Sequence, residues 1–233
     1  MALPKIDLPL NTITLPSDES QVLYRPFTVK EEKILLVAAE SKDPLVEMVA
    51  IKQVVNNCLF DKPIEEISML DLEYIFLKLR ATAVNNTAQF TITDPDTEES
   101  IPLDFDLEAM EVLRDPNHSK EIRINDDLVL YLKYPNIDDF TKIVGMDPAD
   151  PLVNYVIMVS CLDKLATEDE VHDFDDYTEE DIAEFMDNLT GDIVKKISYF
   201  FETMPKLRQE IKYTNSNDEE KIFVIEGMRS FFT

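Results

Sequence analysis

The sequence predicts an α+β protein that is mainly helical, with a small central antiparallel sheet and β-hairpins near both termini. Three observations carry this. Apolar residues recur at helical spacing from Thr28 to about Leu79, and again after Pro135. From Ala88 to Tyr134 the period changes to two. Near each end, extended segments are separated by clusters of Pro, Ser, Asp and Asn. At 233 residues the chain can bury a sizeable core. It divides into an extended N-terminal arm and hairpin over 1–27, a helical bundle plus antiparallel sheet over 28–135, and a helical part over 136–233 that ends in a hairpin.

The elements follow in order. Pro4 and Pro9 make the first segment an edge or an arm. Its apolar residues Ile6, Leu8, Leu10, Ile13 and Leu15 need a partner surface. Asn11–Leu15 and Gln21–Phe27 read as strands around the loop 16–20. Pro26 biases Arg25 away from helical angles. A helix then starts at Thr28, with Glu31 three residues on as its capping-box partner, and runs to about Ser41. Its dense apolar run places it in the core. Asp43-Pro44 caps and opens a second helix, with Leu45, Met48, Val49, the Lys52 stem and Val55 on one face. A third begins near Ser68, with Asp71 three residues on and a stripe of Leu72, Ile75, Phe76 and Leu79. Asn56-Asn57 and Asn85-Asn86 read as helix ends, where Asn tolerates left-handed angles.

Strand alternation from Gln89 to Asp94 and from Ile101 to Phe105, around Pro95-Asp96, predicts a hairpin. Ile122–Ile124 and Leu128–Tyr134 continue one small sheet over 88–134. Helices are then expected over Ile137–Val144, Pro151–Leu165 (apolar, hence buried), Thr178 through Phe185 and Thr190–Phe201. Thr178 and Asp181 form a T-x-x-D start. Lys212–Thr214 and Ile222–Val224 make the last hairpin, and Phe231-Phe232 needs covering.

Glycine is scarce: Gly145, Gly191 and Gly227 only. Phosphate-cradling loops need glycine for close backbone approach, so dinucleotide-binding and P-loop chemistry are excluded. The 13 prolines and the many Asp and Asn residues must make the turns. The net charge is −26. No basic patch is visible that could release counterions from nucleic acid, and anionic membrane is disfavoured for the same reason. The charge either keeps the protein soluble by self-repulsion or steers in a partner with a basic face. Cys58 and Cys161 sit in apolar helical context and read as free, buried thiols, with a single long-range disulfide as the less favoured alternative. No apolar run approaches membrane-spanning length, and the first residues lack the apolar core of a signal peptide.

Few residues suggest chemistry. The stretch Glu168 to Asp187 holds eleven Asp or Glu and no Lys or Arg. Asp173, Asp175, Tyr177 and Glu184 fall in calcium-loop register, but Thr178 stands where that loop needs Gly. A solvated acidic face or a docking surface explains the tract better, with Asp173, Asp175 and Asp176 as candidate contacts. His118 lies in an Asp115-Pro116-Asn117 turn, and His172 lies amid carboxylates that favour its charged form. Neither has the Cys/His spacing of a zinc site. No local nucleophile, base and orienting group occur together. The expectation is a non-enzymatic protein without cofactor or metal.

The segments Pro4–Pro9, Arg25–Lys33, Ala50–Cys58, Asp71–Arg80 and Phe200–Arg208 together span nearly the whole chain. In these the sequence resembles the baseplate hub family of T-even-type contractile-tailed bacteriophages, the gene 26 product and its relatives. The resemblance implies a part in building the baseplate hub, as an assembly factor acting on other hub or tail proteins or as a permanent subunit. It places the protein in the host cytoplasm during assembly or in the virion tail. It transfers no catalytic or cofactor residue. Its matched segments are candidates for fold and contacts, so Arg25 and Phe27 join Ile6, Leu8 and Leu10 as candidate partner contacts.

Overall fold

The computed structural model describes residues 7–83, 87–147 and 149–226. Ile6, Asn85-Asn86 and Phe231-Phe232 lie outside the described residues. The chain forms two compact units, 1–113 with 205–233, and 114–204. These boundaries do not coincide with the sequence division at 27/28 and 135/136.

In the first unit, β1 (Asn11–Thr14) and β2 (Gln21–Tyr24) pair antiparallel. Ile13, Leu15 and Val22 are buried on one face. Helix α1 (Val29–Ser41) starts at the Thr28 cap, and α2 (Pro44–Cys58) at the Asp43 cap. The hairpin is pinned to the end of α2, where Arg25 N–H donates to the Cys58 carbonyl at 3.0 Å and Phe60 N–H to that of Leu23 at 3.2 Å. Helix α3 (Met69–Ala83) buries Leu72, Ile75, Phe76 and Leu79. At its start Asp71 N–H donates to Ser68 Oγ at 3.2 Å, while Ser17 N–H in the first hairpin loop donates to Asp71 Oδ1 at 2.9 Å. Strands β3 (Thr87–Thr93) and β4 (Ser100–Asp106) form a separate two-stranded sheet. Strand β5 (Glu111–Leu113) joins β10 (Lys206–Thr214) and β11 (Glu220–Glu226). Leu70 and Leu77 of α3 pack with Leu207 and Ile225.

The second unit carries an antiparallel sheet ordered β6 (Glu121–Arg123), β7 (Val129–Leu132), β8 (Leu162–Ala166), β9 (Val171–Asp173). Between β7 and β8 lie α4 (Ile137–Thr141) and α5 (Pro151–Ser160). After β9 come α6 (Glu179–Asp187) and α7 (Gly191–Thr203). Ile122, Leu130, Leu132 and Leu162 from the sheet pack with Phe174, Met186, Ile197 and Phe200.

The α+β class stands, but a mainly helical chain with one central sheet is corrected. Among the described residues there are four sheets of two to four strands instead. The stretch 88–134 divides among three of them, because strand pairing follows burial on each unit's own core rather than adjacency in sequence. Pro151–Leu165 is not one buried helix: α5 ends at Ser160, none of its residues is fully buried, and the next residues form β8. The ladders to β7 and β9 outweigh local helical preference there. Asn56-Asn57 lies inside α2, which continues to Cys58. Helix α1 is not a core helix, since only Glu31 and Ala38 are buried and Leu36 and Val37 are exposed. The buried face of α2 is Ala50, Ile51, Val54, Val55 and Cys58, which leaves Leu45 and Val49 outside.

Candidate partner-binding site

The junction before α1 is a closed ionic cluster. Glu31 is buried, and Arg25 Nη2 donates to its Oε1 at 3.1 Å. Thr28 donates to Oε2 from its backbone N–H at 2.9 Å and its hydroxyl at 2.6 Å. Burial alone would raise the Glu31 carboxyl. The Arg25 guanidinium and the Thr28 donors outweigh it and lower the pKa to about 2. Arg25 is thus committed to its own fold, while Phe27 is half-buried beside it. Of the arm residues, Ile13 and Leu15 are covered by the protein itself, whereas Leu8 and Leu10 are exposed.

The acidic tract is not only a solvated helix face. It runs through β9, one tight helical turn at Phe174–Asp176, and α6. Asp173 accepts from Asp175 N–H at 3.1 Å and so shapes that turn. Asp175 pairs with Lys133 Nζ at 3.2 Å yet stays 80% exposed, so the pair is worth little. Asp176 is exposed. The Thr178–Asp181 capping box opens α6. The apolar residues within the tract turn inward: Phe174 and Met186 join the core, and the Phe174 and Phe185 rings lie 5.3 Å apart. Against them an apolar pocket of about 260 Å³ opens, lined by Leu165, His172, Tyr177, Ile182 and Phe185 among others. His172 Nδ1 lies 2.7 Å from the Tyr177 hydroxyl. The arm candidates and the tract candidates fall in different compact units.

Two clusters escaped sequence reasoning. His118 is held between the Thr203 hydroxyl, 2.9 Å from Nδ1, and the Tyr134 hydroxyl, 2.9 Å from Nε2. Thr203 donates to the Tyr199 carbonyl, so its oxygen accepts from Nδ1–H. Burial, then Lys120, pushes the His118 pKa down. Asp94 is buried and accepts from the Tyr213 hydroxyl at 2.8 Å, with Lys221 Nζ at 3.3 Å. Asp94 also accepts from the nearby Asp96 and Thr97 N–H groups, but Tyr213 and Lys221 stand over a hundred residues away in the chain, beyond any local motif. Both clusters hold structure together. Burial lifts the thiol of Cys58 to about 11 and that of Cys161 to about 12, so neither is a thiolate at neutral pH. Among the described residues no group of three or more His, Cys, Asp or Glu could hold a metal ion.

The family model for the T4 bacteriophage base plate protein matches residues 9–233. The chain belongs to this family. A role in the phage baseplate follows for this base plate protein, together with interaction with other phage tail proteins. Searches of the curated proteins and of the solved structures return no match. No helix among the described residues of the base plate protein is long and apolar enough to cross a membrane.

Proposed function

We propose that this base plate protein acts in assembling the baseplate hub, as a non-enzymatic chaperone or interaction module for other hub and tail proteins in the host cytoplasm. The observation that carries the reading is the acidic tract: eleven carboxylates without a Lys or Arg, presented on the loop before β9, on β9, the Phe174–Asp176 turn and α6. Such a surface suits a client with a basic face. The exposed Leu8 and Leu10 supply a second candidate contact in the other unit.

Mass spectrometry of purified virions separates assembly factor from permanent subunit. The expected result is that the protein is absent from mature particles; presence at fixed stoichiometry makes it a structural subunit. The role of the tract is tested by replacing Asp173, Asp175 and Asp176 with Asn and following stopped-flow association with the hub protein that co-purifies from infected cells. Association should slow and its salt dependence flatten, with dissociation little changed, because rim charges act on encounter within a Debye length of ~10 Å at 0.1 M salt. Unchanged association at low salt removes the tract from the interface and leaves Leu8 and Leu10 as the contact.

A further inference from the structure

We propose that the apolar pocket between β8, β9 and α6 receives an arginine side chain of a basic partner protein. The proposal deepens the reading that this acidic surface docks a client, and rests on it.

Size limits the occupant. About 260 Å³ is below the ~300 Å³ at which pockets begin to suit a cofactor or drug-sized ligand, and it accommodates a single long side chain. The walls are apolar: Leu165 comes from β8, and Ile182 and Phe185 come from one face of α6. Phe174 also lines the pocket and is itself buried in the core, so this wall is anchored. At the edge stands Tyr177, 43% exposed, its hydroxyl tied to His172. An occupant must therefore bring apolar atoms and be able to stack on aromatic rings.

Charge selects among such occupants. The pocket opens within the tract Glu168 to Asp187, which holds eleven Asp or Glu and no Lys or Arg. Asp181 lies in the lining, and both of its contacts with Thr178 use Oδ2, at 3.1 and 2.5 Å. A purely apolar side chain fills the cavity but leaves this field unanswered. Lysine carries a strongly hydrated ammonium that resists leaving water. Arginine has a methylene stem for the apolar wall and a planar, weakly hydrated guanidinium that stacks on aromatic faces and pairs with carboxylates in the same pose.

The test titrates the full-length protein, labelled at backbone amides and at Ile and Leu methyls, with the capped peptide Gly-Gly-Arg-Gly-Gly. The same peptide with citrulline, which keeps the shape and loses the charge, and with norleucine are the comparisons. The arginine peptide should shift the Ile182 and Leu165 methyls and the Tyr177 and Phe185 amides, and bind at least about tenfold tighter than either comparison. Ile182→Lys, which places an ammonium in the pocket, should abolish these shifts. Tyr177→Ala, at an exposed edge, should weaken them while the fold and its amide spectrum stay intact. Equal binding of the arginine and citrulline peptides overturns the proposal. Shifts confined to exposed tract amides such as Glu168 and Asp169 also overturn it, while leaving the docking surface standing. No shift anywhere removes both. If the peptide fills the pocket but Ile182→Lys leaves phage assembly unaffected, the pocket stands and the assembly reading falls.

Discussion

At the scale of single residues, the Glu31 carboxylate is a charge held in the first unit's interior. It is fully buried and satisfied by Arg25 and Thr28. Its folded pKa of about 2 lies below the ordinary value of 4.5. The unfolded chain therefore binds the extra proton first as pH falls. The stabilisation is complete above the ordinary value and is lost as pH drops through about 2. Arg25→Ala should cost about 2 kcal/mol at pH 7, because it leaves the carboxylate buried without its cation. Urea denaturation at descending pH should show the gap between variant and wild type closing as Glu31 protonates. A gap that stays constant to pH 2 would place the stabilisation elsewhere. The Thr28–Glu31 box was legible because both partners lie within one helical turn. The Arg25 side of it was not: the same arginine reads equally well as a surface contact until burial is known.

At the scale of elements, scarcity of glycine has a visible consequence. The loops of the β1–β2 and β3–β4 hairpins close in the same way. Leu15 N–H donates to the Ser20 carbonyl and Glu19 N–H to that of Leu15; Asp94 N–H donates to the Glu99 carbonyl and Glu98 N–H to that of Asp94. Each has Pro in the next position, Pro16 or Pro95, and a left-handed residue before the return strand. That residue is Glu19 at φ 60° and Glu98 at φ 56°, where glycine would be unstrained. Glu98→Gly should stabilise the protein by about 0.5 kcal/mol, the relief of the left-handed strain exceeding the entropy of a more flexible unfolded chain. Differential scanning calorimetry checks this; a lower Tm would mean the Glu98 side chain itself supports the loop. The turns were readable from Pro, Asp and Asn, and the helix starts from their caps. The strand over Leu162–Ala166 was not, since its apolar residues continue an apolar helix and only the pairing with β7 and β9 marks its end.

At the scale of the whole molecule, the second unit is inserted into the first. The chain leaves the first unit after Leu113 and returns at Pro205, and Leu113 pairs directly with Lys206 between β5 and β10. Adjacent entry and exit points are what make insertions tolerable. The fragment 114–204, which has its own sheet and core, is expected to fold alone, and the remainder with a short Gly-Ser linker in its place is expected to keep the β5–β10–β11 sheet. Circular dichroism and cooperative denaturation of the two pieces check it. A fragment without a cooperative transition would show that its core needs the rest of the chain. The sequence by itself determined the helix starts at Thr28, Asp43 and Thr178, the hairpin turns, the acidic tract and the family, because each signal is carried by residues close together in the chain. Only the tertiary structure decided that 88–134 feeds three sheets, that α1 and α2 leave apolar faces uncovered, and that the acidic tract encloses an apolar pocket. Those outcomes depend on which distant segments share a core. That choice balances loop-closure entropy against burial over the whole chain, and no local pattern encodes it.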